Sequence, residues 1–351
     1  MRILALAAVA IAVLCADSAC AQSLKDDFDN GSLDPTKWTK KQITDAQISF
    51  VPDSRCGLSA IEITAREGDG GQQCGNACER AELRTAKSSW PSFGQEVWYR
   101  FSFRIDGDIP TIGSARTVIG QWKGPGDGSP MLAQRFDNGV FHITVQDNDN
   151  RRVVASAEGN YDDVQTVEAS ATKPGDKHEK DINAVLGLQS TELVDGRVSD
   201  FARKTRSDDV AGAPVDKGSF AQSSEIAKSV GLADPKFVSQ IEVIPEKDAV
   251  LPDPRKGWVD MIYRIKPGRG DNERGPRGRG EIDIWANGEK IVSVRGNIGA
   301  TLKQGGDEKL VGPYFKFGIY RSSVPGTLRF RFDEFSQATS RDGLPMLCPA
   351  K

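Results

Sequence analysis

The chain has 351 residues, which allows one large domain or two modest ones, and its formal net charge is only −3. Such a balance excludes the strong basic excess of a nucleic-acid-binding protein, so affinity for an anionic partner must come from local clusters of Lys and Arg. Residues Ile3–Leu14 are almost wholly apolar behind Arg2, and Ala19-Cys20-Ala21 follows. This reads as a secretory leader, residues 1–21, preceding a single exported domain, 22–351. No later run is apolar enough to cross a membrane. The expectation is a secreted or periplasmic monomer with neither membrane nor nucleic acid as partner.

Export implies an oxidising compartment, in which the remaining cysteines, Cys56, Cys74, Cys78 and Cys348, form disulfides. Their spacing does not choose among the possible pairings. Zinc is a poor alternative, because Cys74 and Cys78 lack a second ligand pair at metal spacing. Asp26 to Trp38 reads as a short strand and a turn, and Leu58–Ala65 alternates apolar and polar residues as a half-buried strand does. In Val97–Ile105 the alternation is cleanest. Val97, Tyr99, Phe101, Phe103 and Ile105 face one way; Trp98, Arg100, Ser102 and Arg104 face the other. Thr117–Trp122, Val140–Val145, Trp258–Ile265, Glu281–Trp285, Lys290–Arg295 and Thr327–Phe335 repeat the period between Gly, Pro, Asn and Asp clusters. The pattern predicts an all-β sandwich or jelly roll. Residues 162–257 break it, with Phe201, Phe220 and Phe237 as their only aromatics. Ser224–Val230 and the cap-like Asp234-Pro235 carry helix signals, so this stretch predicts a partly helical insertion. Pro267–Gly280, with Arg269, Arg274, Arg277 and Arg279, reads either as a solvated hairpin tip or as a mobile basic loop that meets an anionic ligand.

Three strands carry the chemistry. In Glu79–Arg84, Arg80, Glu82 and Arg84 project together, and two guanidiniums flanking a carboxylate suit planar anions. In Gln121-Trp122-Lys123, Gln121 and Lys123 share a face. In Tyr314–Tyr320, Phe315, Phe317 and Ile319 face a core, while Tyr314, Lys316 and Tyr320 face outward with Gly318 between them. That glycine leaves room for something to lie against the backbone. His142 falls on the polar face of its strand, either beside these groups as a substrate contact or as a satisfied structural histidine. Together they suit β-elimination from a uronic acid. The C5 proton is too weakly acidic while the neighbouring carboxylate keeps its charge, so Arg, Gln or Lys must neutralise it. A base then takes the proton and an acid supplies the leaving oxygen. A tyrosine does either job when neighbouring cations lower its pKa from about 10, and Lys316 and Arg84 are candidates for those cations.

Arg80–Arg84, Gln121-x-Lys123 and Tyr314–Tyr320 resemble the signature strands of the jelly-roll polysaccharide lyases, R-x-E-L-R, Q-x-H and Y-F-K-x-G-x-Y. These occur in the alginate lyase type and, more closely, in the heparin lyase I and glucuronan lyase type. Trp258 and Gly280–Gly288, which ends Trp-Ala-Asn-Gly, add a likeness to the heparin lyase type. The resemblance implies a concanavalin A-like jelly roll acting on an anionic polysaccharide. Arg80 and Gln121 contact the uronate carboxylate, Tyr320 is the catalytic acid and, by a syn route, also the base, and Lys316 and Tyr314 line the cleft. This sequence departs from the family at Lys123, where the pattern has histidine. A partly buried lysine can serve as the base. The lyase mechanism, as against a non-catalytic carbohydrate-binding protein, requires Lys123 and Tyr320 on one face and close enough to share one sugar. No organic cofactor is implied, and Asp29 and Asp333 are candidates for a structural calcium ion.

Two rival readings remain. Glu281-Ile282-Asp283-Ile284-Trp285 resembles the start of the E-x-D-x-x-E motif of laminarinase-type glycoside hydrolases, but position 286 is Ala where retaining hydrolysis needs a second carboxylate. A non-catalytic carbohydrate-binding protein would keep the basic aromatic groove without the proton-transfer geometry.

Overall fold

The computed structural model describes residues 23–70, 78–92, 94–107, 109, 116–124, 130–137, 139–147, 150–157, 241–268, 280–296, 298, 312–346 and 348–349. The alternating segments become strands: β1 Leu24–Asp26, β2 Trp38–Gln42, β3 Ile48–Val51, β4 Ala60–Arg66, β5 Cys78–Thr85, β6 Val97–Gly107, β7 Thr117–Lys123, β8 Leu132–Asp137, β9 Val140–Asp147, β10 Asn150–Ser156, β11 Ile241–Pro245, β12 Val259–Lys266, β13 Gly280–Ala286, β14 Glu289–Gly296, β15 Tyr314–Ser322 and β16 Thr327–Ala338. They form two antiparallel sheets. One has the order β11-β14-β13-β12-β6-β16-β4-β3, with β1 also on β16; the other is β10-β9-β8-β7-β15-β5-β2. This is the expected jelly-roll sandwich.

The apolar sides of both sheets meet in one aromatic core. Phe315 and Phe317 of β15 pack on Phe101 of β6 and Phe332 and Phe335 of β16, and Phe317 and Phe332 stack with ring centroids 3.9 Å apart. Each fully buried ring contributes roughly 1.5–3 kcal/mol. Two polar groups are carried into this core as a pair: Gln134 Nε2 donates to the Tyr263 hydroxyl at 2.9 Å.

The outer side of β6 is not solvated, despite its polar residues. Arg100 and Ser102 are buried. Arg100 bonds Glu334 at 3.0 Å and the Pro345 carbonyl; Ser102 bonds Asp260 at 2.6 Å, and Arg55 binds Asp260 through Nε and Nη2 at 3.0 and 2.9 Å. The C-terminal segment thus lies across this sheet, fastened by the Cys56–Cys348 disulfide. Cys78 is also disulfide-bonded; Cys74 lies outside the described residues. Of the expected insertion, residues 241–257 are described, and they begin with β11 paired to β14 at the sheet edge. The chain is therefore back in the sandwich by Ile241, earlier than the sequence reading placed it. The helices expected at Ser224–Val230 and after Asp234, most of the basic loop and the leader lie outside the described residues. Among the described residues no helix is long and apolar enough to cross a membrane.

Gly318 holds β15 against β5. Its φ is +126°, and a Cβ there would meet the Ala81 carbonyl oxygen at 2.1 Å. Gly318→Ala should cost roughly 3 kcal/mol or more, read as a lower denaturant midpoint with unchanged m-value.

Candidate active site

Register brings the three signature strands side by side. β15 lies between β5 and β7, with Tyr320 opposite Arg80, Gly318 opposite Glu82 and Lys316 opposite Arg84 on one flank. On the other flank Lys316 stands opposite Gln121 and Tyr314 opposite Lys123. Seven of the eight candidate residues thus share the outer face of the seven-stranded sheet, where Arg80, Arg84, Lys123 and Lys316 accompany the carboxylate of Glu82.

Glu82 is the centre of this face and is only 3% exposed. Its carboxylate accepts Arg80 Nε at 2.7 Å and Gln121 Nε2, and Lys316 Nζ lies at 3.6 Å. Burial alone would raise its pKa, but the charges of Lys316 and Arg80 and the hydrogen bonds from Arg80 and Gln121 outweigh it and hold the carboxyl below its usual range. Lys316 feels the opposite conflict: burial pushes its pKa down, Glu82 pulls it up, and Arg80 and Arg84 add to the depression. Its ammonium also donates to Gln42 Oε1 at 2.6 Å.

The two tyrosines occupy different ends. Tyr320 is half-buried, and the Arg80 guanidinium lies over its ring, 4.5 Å from the centroid. The cation beside Tyr320 is therefore Arg80, not Lys316 or Arg84 as the sequence suggested. Tyr314 is buried and stacks on Trp90 at 4.5 Å, with Arg84 5.2 Å from each ring. Burial raises the Tyr314 pKa against the opposing charge and hydrogen bond of Arg84, so this phenol suits donating a proton rather than taking one. Trp90 and Gln42 were absent from the sequence reading, since neither belongs to a signature strand; Trp90 follows β5 on a short 3-10 turn, Lys87–Ser89.

Lys123 and Tyr320 stand at different levels of the face. Lys123 stands opposite Tyr314 and Tyr320 opposite Val118, which at the usual strand rise separates Lys123 from the level of Tyr320 by about 17 Å. The expected role of His142 needs correction. The residue is fully buried, with Nε2 3.2 Å from Asp137 Oδ2 and Nδ1 3.0 Å from the Val140 carbonyl. Its imidazole is a structural group of β9, not a contact on the open face.

The hydrolase-like Glu281 and Asp283 lie on β13 of the other sheet. Arg264 binds both at 2.7 and 2.9 Å, and Arg295 binds Asp283 at 2.7 Å. Burial would raise Asp283, but bonds from Ser293, Arg295 and Arg264 bring it to a pKa of about 2. Carboxylates committed to salt bridges, beside a buried Ala286, do not make an acid–nucleophile pair. Among the described residues no group of three or more His, Cys, Asp or Glu is placed to hold a metal. Asp29 and Asp333 instead accept backbone N–H groups: Asp29 from Leu58 and Ser59, Asp333 from Arg55, Cys56 and Glu334.

A family profile described as polysaccharide lyase matches residues 28–337. Among solved structures, the alginate lyase AlgAT5 of polysaccharide lyase family 7 is similar at 10% identity, covering 86% of this chain and 94% of that one, with a TM-score of 0.38. The cellulose-induced protein Cip1 matches at 12% identity over 93% of this chain and 100% of that one, TM-score 0.42. A variant of the family 7 alginate lyase A1-II′ in complex with substrate matches at 10% identity over 89% and 95%, TM-score 0.41. No curated protein matches the sequence.

The burial of His142 makes a prediction. His142→Ala should remove about 1–3 kcal/mol of stability, because Asp137 loses its imidazole partner. Thermal melts should show this loss while the affinity of the open face for polyanions stays as in the wild type.

Proposed function

We propose, from the premise that the chain belongs to the polysaccharide lyase family, that it cleaves a uronate-containing glycan by β-elimination on the outer face of the seven-stranded sheet. One observation carries this reading: an unbroken path of contacts from Tyr320 through Arg80 and Glu82 to Gln121. Arg80 and Gln121 receive the uronate carboxylate and neutralise it, which makes the C5 proton removable and stabilises the enolate-like intermediate. Tyr320 serves both transfers. Its oxygen takes the C5 proton, the C4–C5 double bond forms as the C4–O4 bond breaks, and the proton passes to the departing O4. The separation of Lys123 from Tyr320 favours this one-residue route over a lysine base. Lys123, Arg84, Tyr314 and Trp90 then hold neighbouring sugars of the same anionic chain, with Lys316 between the two ends. The Cys56–Cys348 disulfide supports export to an oxidising compartment, periplasmic or extracellular.

The test is ultraviolet absorbance during incubation with glucuronan, heparin, heparan sulfate, alginate and acidic bacterial exopolysaccharides. Elimination creates a conjugated double bond, so absorbance should rise with one member of the panel. A flat trace with new reducing ends would instead indicate hydrolysis, and a flat trace with retained binding a non-catalytic carbohydrate-binding protein. On the substrate so found, Tyr320→Phe should lower kcat by about 1,000-fold or more while leaving the Kd largely intact. Arg80→Ala should raise KM and also lower kcat, because its contact strengthens as charge develops.

A further inference from the structure

The bond between Gln121 and Glu82 crosses a strand. Gln121 belongs to β7 and Glu82 to β5, with β15 between them, a span of roughly 10 Å of backbone. β15 places Gly318 opposite Glu82 and Lys316 opposite Gln121, so the two side chains meet diagonally across the strand, beside the position that carries no side chain. An ionised carboxylate only accepts hydrogen bonds. Glu82 therefore decides which end of the Gln121 amide turns inward: the nitrogen faces the carboxylate, and its second N–H is left for a ligand. The same carboxylate takes Arg80 through Nε at 2.7 Å, which fixes the plane of that guanidinium over Tyr320. Glu82 is 3% exposed, and its two oxygens are taken by Arg80 and Gln121.

We propose that Glu82 is the positioning residue of this site: it orients Gln121 and Arg80 toward the uronate carboxylate and balances Lys316 at the centre of the face. This rests on the lyase reading above. Arg80 and Gln121 donate to different oxygens of Glu82, and a glutamine at position 82 has one acceptor oxygen, so the amide and guanidinium lose their common anchor while the face gains positive charge. Ground-state attraction for a polyanion is kept or strengthened, and the alignment required as charge develops is lost. Lys316 is faced by Glu82, Arg80 and Arg84 from β5, by Gln121 and Lys123 from β7, by Tyr314 on its own strand and by the uncharged Gln42 from β2. Glu82 is the one anion among them. Removing it moves the Lys316 titration to lower pH.

The experiment compares wild type, Glu82→Gln and Glu82→Asp on the polyuronate cleaved by the wild type. Lys316 titration is followed separately by NMR of ¹³C-methylated lysines in the free protein, with circular dichroism to verify folding. For Glu82→Gln, kcat should fall on the order of 100-fold with KM no higher, and Lys316 should titrate at lower pH. For Glu82→Asp, which keeps the charge but shortens the reach, kcat should fall while the Lys316 titration stays near that of wild type. A rise in KM with unchanged kcat, or an unmoved Lys316 titration in folded Glu82→Gln, overturns the proposal. If Glu82→Gln does not fold, a wild-type kcat in Glu82→Asp overturns it equally. The titration needs no substrate, so failure here is distinct from failure of the lyase reading, which shows as a wild-type protein that cleaves no polyuronate.

Discussion

Phe317 of one sheet and Phe332 of the other stack with centroids 3.9 Å apart and planes 11° from parallel. Phe315 stacks on Phe335 beside them, and Trp38 meets Phe317 edge-on. These rings press β15 into the core by its odd-numbered side. With that side committed, pleating leaves Tyr314, Lys316 and Tyr320 no direction but outward. A slip of one residue would exchange phenylalanines for lysine and tyrosines in the core, at a cost of many kcal/mol, so packing fixes the register of β15 against β5 and β7. The site is therefore a consequence of the core. Its residues come from distant parts of the chain, but their relative positions are set by apolar contacts on the far side of the same strands.

The two outer faces use similar side chains to opposite ends. On β12, β13 and β14, Arg264, Arg295 and Lys290 are matched by Glu281, Asp283 and Glu96 in a closed network. Its charges satisfy one another, and little is left for a ligand. On the outer face of β5, β7 and β15, Arg80 and Lys316 share the carboxylate of Glu82, which is buried, with Arg84 and Lys123 nearer the Tyr314 end. Desolvating a charge is costly, and cations held together repel. Glu82 offsets part of this by accepting hydrogen bonds from Arg80 and Gln121 and pairing with Lys316.

Much of this was legible in the sequence. Alternation located β4, β6, β7, β9, β12 to β14 and β16, and the motifs named the strands of the site. What escaped was whatever depends on a partner the sequence does not specify. β8 is buried on both sides, so its residues Leu132–Asp137 show no alternation to find. Arg100 and Ser102 have the pattern of a solvated face, yet the C-terminal segment covers them. His142 sits on the polar side of β9 as read, but Asp137 and the Val140 carbonyl enclose it. Gly318 was read as room for a ligand. The close neighbour is instead the β5 backbone, and the room above it is used by the bond from Gln121 to Glu82.

The separation of Lys123 from Tyr320 is the most informative of these differences, because motif matching treats residues in one signature as equally near the chemistry. Register does not. Tyr320, Arg80, Glu82 and Gln121 form one connected group, and Tyr314, Trp90, Arg84 and Lys123 form another at the far end of β15. Replacing histidine by lysine in the second group leaves the first intact. A face longer than one sugar, with a cation and an aromatic ring at each end, is what a polymer requires of its binding site, whereas a monosaccharide would use only one of the groups. In the proposed reaction the chemistry is therefore confined to the Tyr320 end, and the Lys123 end acts by holding the chain in register with it. Binding energy gathered there is spent on aligning the reacting sugar, which is how contacts remote from the broken bond raise kcat rather than only lowering KM.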